Sequence, residues 1–395
     1  MPNLAAPYHV DAALDRAAQG YGLSREDALS LMNDAPLAAL LDAAAAVRDH
    51  FKGRWVSYSR KVFIPLTHLC RDYCGYCTFR SDPQAGVRPY MTPDEVLAVA
   101  EAGRRAGCKE ALFSLGDQPE RLFPEAKAFL KELGFDRTLE YLAAMCELVL
   151  EKTGLLPHSN PGVMGLGDLR RLRETNVSAG LMLESASPRL GRPGGPHWKA
   201  PDKVPSLRLR TLENAGKLSL AFTTGVLIGI GETLEERVDA LLAIRTVHEK
   251  HGHIQEVIIQ PFRAKPGIRM AQSPEPSKED LQRTIAVARL ILGGEVNIQS
   301  PPNLLSDDYP DLLKAGINDW GGISPVTKDF INPEAAWPQI SSLAARTASE
   351  GFVLRERLAI YPEFLSQKEF VNGDLEPHVR RFCGEDGYAR GCAQC

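Results

Sequence analysis

Three cysteines fall within eight residues in the stretch "PLTHLCRDYCGYCTFR": Cys70, Cys74 and Cys77, spaced C-x3-C-x2-C. The other five of the chain's eight cysteines lie far from this group. Four chemistries compete for such a trio. Structural zinc needs a fourth cysteine or histidine, and His68, two residues before Cys70, is awkwardly spaced. A thioredoxin-like pair would use Cys74 and Cys77 and leave Cys70 idle. The trio is also readable as three unrelated buried thiols gathered at one strand end. The remaining reading is a 4Fe–4S cluster held by three thiolates. Such clusters usually take four cysteines. Three leave one iron open to a small molecule, much as a catalytic zinc keeps an open position.

Such a loop has to be held by regular elements, and the surrounding sequence supplies them. The first 50 or so residues read as helices, with Ser24 as a cap, and carry no evident chemistry. From residue 61 short apolar runs alternate with amphipathic helices. The runs are "KVFIPL", "EALFSLG", "LLPHSN", "VSAGLMLES", "LAFTTGVLIGIG", "IQEVIIQ", "EVNIQ" and "INDW". Helices are expected from Thr92 to Gly107, over 137–152, 166–174 and 202–216, from Thr233 to Gly252, and over 277–292, 305–314 and 334–349. Two of them carry a Thr cap with Glu three residues on, at Thr92/Glu95 and Thr233/Glu236. Eight strand-then-helix units over about 280 residues fit an α/β fold, a closed (β/α)8 TIM-type barrel. An open doubly wound sheet is the alternative. The expected organisation is a helical segment over 1–55, the barrel over 56–330, and a C-terminal helix with a cysteine-containing tail over 331–395.

Bulk properties narrow the partners. Hydrophobic residues make up 44% and charged residues 24%, a globular balance. With 46 basic and 50 acidic side chains the formal charge is −4, which gives no reason to expect nucleic acid or an anionic membrane. No signal-peptide pattern opens the chain, and no apolar run is long enough to span a bilayer. A cytoplasmic location is the expectation, with thiols and metal ligands rather than structural disulfides.

In a barrel the active site forms at the C-terminal ends of the strands. The cysteine loop follows the first strand, "GDQPE" the second, "HSN" the third, Glu184 the fourth, "GIGE" the fifth and "QPFRAKPG" the sixth. The polar and unusual residues therefore gather on one rim. Each has a plainer reading as well: Gly116 as an ordinary tight turn, Glu184 as a surface carboxylate, Gln260 as a capped strand end, Arg263 and Lys265 as solvated loop charges, and His158 as a satisfied core histidine.

The spacing C-x3-C-x-aromatic-C, with Tyr76 as the aromatic, resembles the signature of the radical S-adenosylmethionine superfamily. The resemblance implies a 4Fe–4S cluster on Cys70, Cys74 and Cys77 whose open iron chelates S-adenosylmethionine. Its reductive cleavage would give methionine and a 5′-deoxyadenosyl radical that takes a hydrogen atom from the substrate. Ser114, Gly116 and Asp117 stand where the superfamily receives the methionine amino group. Glu184 is expected at the ribose hydroxyls or the methionine end, and Gly229 in "GVLIGIGE" and Gln260 on the adenine side.

The segments "SRKVFIPLTHLCRDYCGYCTF", "GCKEALFSLGDQPE", "HSNPGVM", "GLMLES", "TTGVLIGIGET", "GHIQEVIIQPFRAKPG" and "IQSPPNL" extend the resemblance over most of residues 57–325. Together they are similar to the ring-closing subunit of the 7,8-didemethyl-8-hydroxy-5-deazariboflavin (FO) synthase family. That likeness implies a carbon–nitrogen lyase acting on a small molecule, the adduct of a tyrosine-derived 4-hydroxybenzyl group with ribitylaminouracil. It also implies a partner radical enzyme that makes the adduct, and an electron donor such as flavodoxin or ferredoxin. His158, Asn160, Arg263 and Lys265 are the candidates for substrate contact, and Asn318, Asp319 and Trp320 are expected to close the cavity at the end of the eighth strand. A paralogue acting on another aromatic or nucleoside-like substrate, as in menaquinone pathways, and a non-catalytic cluster protein are the alternatives. Cys383, Cys392 and Cys395 fall outside the family pattern and read as a loose polar tail.

Overall fold

Local sequence signals set the helix ends. In the computed structural model, which describes residues 6–19 and 22–391, the Ser24 hydroxyl accepts from Asp27 N–H while Asp27 accepts from Ser24 N–H, opening the helix Arg25–Asp34. The same reciprocal box starts Pro93–Arg105 at Thr92/Glu95 and Leu234–His251 at Thr233/Glu236. Each box satisfies backbone donors that the first turn leaves open.

The strands are β1 (Trp55–Thr67), β2 (Glu110–Leu115), β3 (Leu156–Asn160), β4 (Ser178–Gly180), β5 (Phe222–Ile228), β6 (Ile254–Pro261), β7 (Asn297–Gln299), β8 (Asp319–Ile323) and β9 (Val353–Glu356). The sheet runs β2-β3-β4-β5-β6-β7-β8-β1-β9, and β1 also pairs with β2, so the first eight strands close into a parallel barrel. The closed barrel is observed and the open sheet is not. Residues of β1 alternate as a strand with two different environments must. Val62, Ile64 and Leu66 are fully buried against the helical layer, each contributing about 1.5–3 kcal/mol, whereas Lys61 and Phe63 line the interior.

Several expected elements differ. The fourth strand is only Ser178–Gly180, because Glu184 adopts φ 64° and turns the chain out of the extended path. The segment expected as a helix over 305–314 is 3-10 over Ser306–Leu313, with Pro310 lacking the N–H an α-turn needs. The last expected helix begins only at Ile340, two residues past Pro338. Asn318, Asp319 and Trp320 sit at the start of β8, not its end. Trp320 is fully buried with Nε1 donating to Thr347, so these residues do not close the cavity mouth.

The segment after the barrel, expected as a helix followed by a cysteine-containing tail, adds a packed layer. β9 pairs in parallel with the first residues of β1, Trp55↔Val353 to Tyr58↔Glu356. Leu358, Ile360, Tyr361, Phe364, Phe370 and Val379 then form an apolar cluster with Leu156, Val177 and Ala221 at the N-terminal ends of β3 to β5. This layer plugs the bottom of the barrel. Cys383 follows the helix Glu376–Phe382 and bridges to Ala389, while Cys392 and Cys395 lie outside the described residues. Among the described residues no helix is long and apolar enough to cross a membrane.

Candidate active site

A cavity of about 370 Å³ occupies the barrel interior and opens at the C-terminal ends of the strands. Cys70, Cys74 and Cys77 line its mouth, together with Tyr76, Ser114, Gly116, Asp117, Glu184, Gln260, Arg263 and Lys265. His158 lines it lower on β3, and Asn160 ends that strand level with Ser114. One expected residue is not there. Gly229 (φ 86°) is absent from the cavity wall: its N–H donates to Glu232 at 2.8 Å, and a Cβ would lie 2.5 Å from Pro276. Its role is to make a turn.

Backbone contacts brace the cysteine loop from three sides. Gly116 N–H donates to Thr67 O (3.0 Å) and Arg71 N–H to Asp117 O (3.2 Å). The Cys70 sulfur accepts from Asp117 N–H (3.2 Å) and Asp72 N–H (3.4 Å). Gly75 N–H donates to Pro196 O (2.7 Å), Tyr73 N–H to Lys199 O (3.0 Å), and Met270 N–H to Gly75 O (3.0 Å). Burial pushes the Cys70 thiol up to about 12 and the Cys74 thiol well above its usual value. Metal binding here must displace those protons.

Among the described residues the donors gathered within 4.8 Å of one another are Asp72, Asp117 and Asp202, and the three cysteine sulfurs are set wider than that.

Beneath the loop lies a buried network that the sequence reading did not foresee. Glu184 accepts from Tyr76 OH, pairs with Lys203 Nζ at 2.6 Å, and lies 3.2 Å from His197 Nε2. Tyr76 OH is also 3.0 Å from His197 Nε2. Burial alone would raise the Glu184 carboxyl, but the charge of Lys203, with His197 and Arg208, outweighs it and holds the group well below its ordinary value. Asp117 behaves oppositely. Burial, and then the charges of Asp202 and Asp72, push it up to about 7. Arg71 pairs with Asp202, and Arg208 donates to Met182 O at 2.7 Å.

Lys203 offers a direct check on this network. Lys203→Met leaves the Glu184 charge buried without its ammonium, which costs about 3–5 kcal/mol. We expect the melting temperature to fall by roughly 4–6 °C, while Lys203→Arg recovers most of the loss, both read by thermal unfolding.

The substrate candidates separate on inspection. Arg263 pairs with Glu275 at 2.8 Å and is 42% exposed in its side chain, as the plainer reading had it. Lys265 is buried, lines the cavity and donates to Ile331 O at 2.9 Å. His158 is held on both nitrogens, by Ser178 Oγ (2.7 Å) and Asn160 Oδ1 (3.1 Å), and burial lowers its pKa to about 4. It is a neutral wall residue.

Further polar residues line the depth of the barrel: Lys61, Glu110, Thr223, Gln255, Glu256, Gln299 and Arg357. A usable signal for most of them existed. Inward residues recur every second position, so stepping back from Ser114 reaches Leu112 and Glu110, and from Gln260 reaches Ile258 and Glu256. Lys203 and Arg357 lie outside the barrel strands, and no periodicity marks them.

Comparison with known proteins shows the family. Residues 64–244 match the model of the radical SAM superfamily. The chain is 51% identical over 335 residues to 7,8-didemethyl-8-hydroxy-5-deazariboflavin synthase of Methanopyrus kandleri, covering 85% of this chain and 100% of that protein. It is 49% identical to FO synthase of Streptomyces coelicolor over 96% of its own length but spans only 45% of that longer protein. Among solved structures, FeFe-hydrogenase maturase HydG from Carboxydothermus hydrogenoformans superposes with a TM-score of 0.73 at 18% identity, covering 96% of this chain and 91% of that one. Methylornithine synthase (PylB) superposes with a TM-score of 0.68 at 21% identity, covering 87% and 97%. The two structures share its fold, and the sequence relatives go further: the chain belongs to the radical SAM family of 7,8-didemethyl-8-hydroxy-5-deazariboflavin synthases.

Proposed function

We propose that this chain closes the deazaflavin ring. Its substrate is the adduct of a tyrosine-derived 4-hydroxybenzyl group with ribitylaminouracil, and its products are FO and ammonia. The observation that carries the reading is 51% identity across the whole length of the Methanopyrus synthase. The chain spans about half of the longer FO synthases it matches. A partner radical enzyme is proposed to supply the adduct, and a flavodoxin or ferredoxin the electron.

The thiols of Cys70, Cys74 and Cys77 fit a 4Fe–4S cluster in donor type, number and spacing. Bound together, the cluster and S-adenosylmethionine supply a hydrogen-abstracting radical. The chain's own residues position and enclose. Gly116 brings backbone against the cysteine loop, and Ser114 and Asp117 face the mouth where an ammonium group would lie. Glu184 fixes Tyr76 and Lys203 beside the loop and keeps one lone-pair direction for a hydroxyl donor. Gln260 presents a carboxamide at the end of β6, and Lys265 covers the rim. Phe63, stacked on Trp337 with centroids 5.4 Å apart, gives the wall an aromatic face.

Anaerobic reconstitution with iron, sulfide and reductant, followed by synthetic adduct and S-adenosylmethionine, tests the assignment. Deazaflavin fluorescence is expected in step with 5′-deoxyadenosine and methionine. 5′-Deoxyadenosine without fluorescence would reject the substrate. Neither product, with the cluster loaded, would reject the radical reading itself.

A further inference from the structure

The barrel interior has a polar floor that nothing so far explains. Barrels of this kind are usually filled by layers of branched apolar side chains. Here Lys61 pairs with Glu110 at 2.7 Å, and Arg357 pairs with Glu256 at 2.8 Å and Asp319 at 2.7 Å, all buried. Buried ion pairs seldom repay their desolvation against apolar packing, so stability is a poor reason to keep them.

The wall has been shaped to admit these groups. A Cβ on Gly322 would lie 2.4 Å from Lys61, one on Gly321 would lie 2.0 Å from Gln299 Nε2, and one on Gly180 would lie 2.2 Å from Asn160 Oδ1. Three glycines on two strands therefore make room for three polar side chains. The carboxamide of Gln299 is 7% exposed, lines the cavity, and has no hydrogen-bond partner among the described residues. Asn160 uses its oxygen on His158, and its amide nitrogen is likewise without a partner. Both amides line the cavity, where a ligand can pair with them.

Charge narrows the ligand. Lys61 and Arg357 bring two positive charges, and Glu110, Glu256 and Asp319 bring three negative ones, with His158 neutral. A phosphate would meet a net negative floor. A neutral polyol meets acceptors, ammonium hydrogens and free carboxamides, which suit hydroxyls that both donate and accept. The floor is also the end of the cavity away from the cysteine loop, so it takes the part of the substrate that does not react.

We propose that this floor is a binding subsite for a neutral polyhydroxylated chain, the ribityl arm of the substrate, with Gln299 as a specificity-determining residue. Arg357, delivered from the segment after the barrel, is a positioning residue that orients Glu256. The assignment rests on the ring-closing function proposed above. It places sugar recognition at the bottom of the barrel, away from the rim residues Arg263 and Lys265.

The test compares the ribityl adduct with an N-ethyl analogue lacking the hydroxyls, using reconstituted wild-type enzyme and Gln299→Leu. The Gln299 side chain has no hydrogen-bond partner among the described residues, so the variant should melt as wild type does. Wild type should lose at least about 100-fold in kcat/KM on the ethyl analogue. Gln299→Leu should lose about tenfold or more on the ribityl adduct and nothing further on the analogue. A 5′-phosphorylated ribityl adduct should be at least about tenfold poorer with wild type. Equal turnover of the ribityl and ethyl substrates, equal losses by the variant on both, or full turnover of the phosphate overturns the subsite while leaving the ring-closing function standing. No FO from the ribityl adduct with wild type overturns both.

Discussion

Cys74→Ala is expected to leave a folded, nearly colourless protein that no longer makes 5′-deoxyadenosine. Cys70→Ala and Cys77→Ala should behave alike. Losing an outer partner of a metal ligand already costs 10–100-fold, so loss of a ligand should lower the rate by at least about 100-fold. The controls lie in the same chain. Cys108 and Cys146 are buried in apolar surroundings, and the Cys146 sulfur sits 3.3 Å from Ser159 Oγ. Their alanine variants lose about 1 kcal/mol of packing but should keep the brown colour and the activity. Absorbance after reconstitution, iron content and product formation read the difference. A Cys74→Ala protein with full activity would falsify the assignment of the loop. Bound zinc at unit stoichiometry in the wild type would do the same.

Much of this architecture is legible before any coordinate is known, because caps and strand periodicity are local. Thr92/Glu95 and Thr233/Glu236 start helices where reciprocal hydrogen bonds require. The cysteine loop, Asp117 and Gln260 reach the cavity because each directly follows or ends a strand. At Gly229 a glycine-rich turn at a strand end signals close backbone approach, and the group found close to it is Pro276.

What stayed hidden depends on contacts distant in sequence. Arg357 enters the barrel because β9 adds to β1, and no pattern in residues 353–357 announces that pairing. Lys203 finds Glu184 across a loop of 3-10 turns. The inward polar residues were visible in principle, since Glu110 and Glu256 interrupt apolar runs at the inward phase. Reading those runs as continuous hid them. The lesson concerns phase: in a barrel strand, a charge on the inward register is a cavity residue even when its neighbours look like core.

Gly116→Ala should be as damaging as loss of a ligand, although it removes nothing. A Cβ there would sit 1.9 Å from Leu69 O and 2.6 Å from both Leu69 C and Cys70 Cβ. Two of these atoms are backbone and cannot swing aside, so β2 and the cysteine loop must part by about 1 Å to reach even the 3.0 Å floor of real contacts. The bonds that would break are those that set the loop: Gly116 N–H to Thr67 O, Asp117 N–H to the Cys70 sulfur, and Arg71 N–H to Asp117 O. Displacement of that size at a reacting centre costs about 100-fold. We expect Gly116→Ala to bind less iron per chain and to form 5′-deoxyadenosine at least about 100-fold more slowly. Gly167 is the matched control, since it lies in the helix Leu166–Arg173 and a Cβ there meets nothing within 4 Å. Gly167→Ala should be neutral or stabilising by about 0.5–1 kcal/mol. Full iron content and rate in Gly116→Ala would mean the cysteine loop yields without cost, and that its geometry is set by the metal rather than by β2.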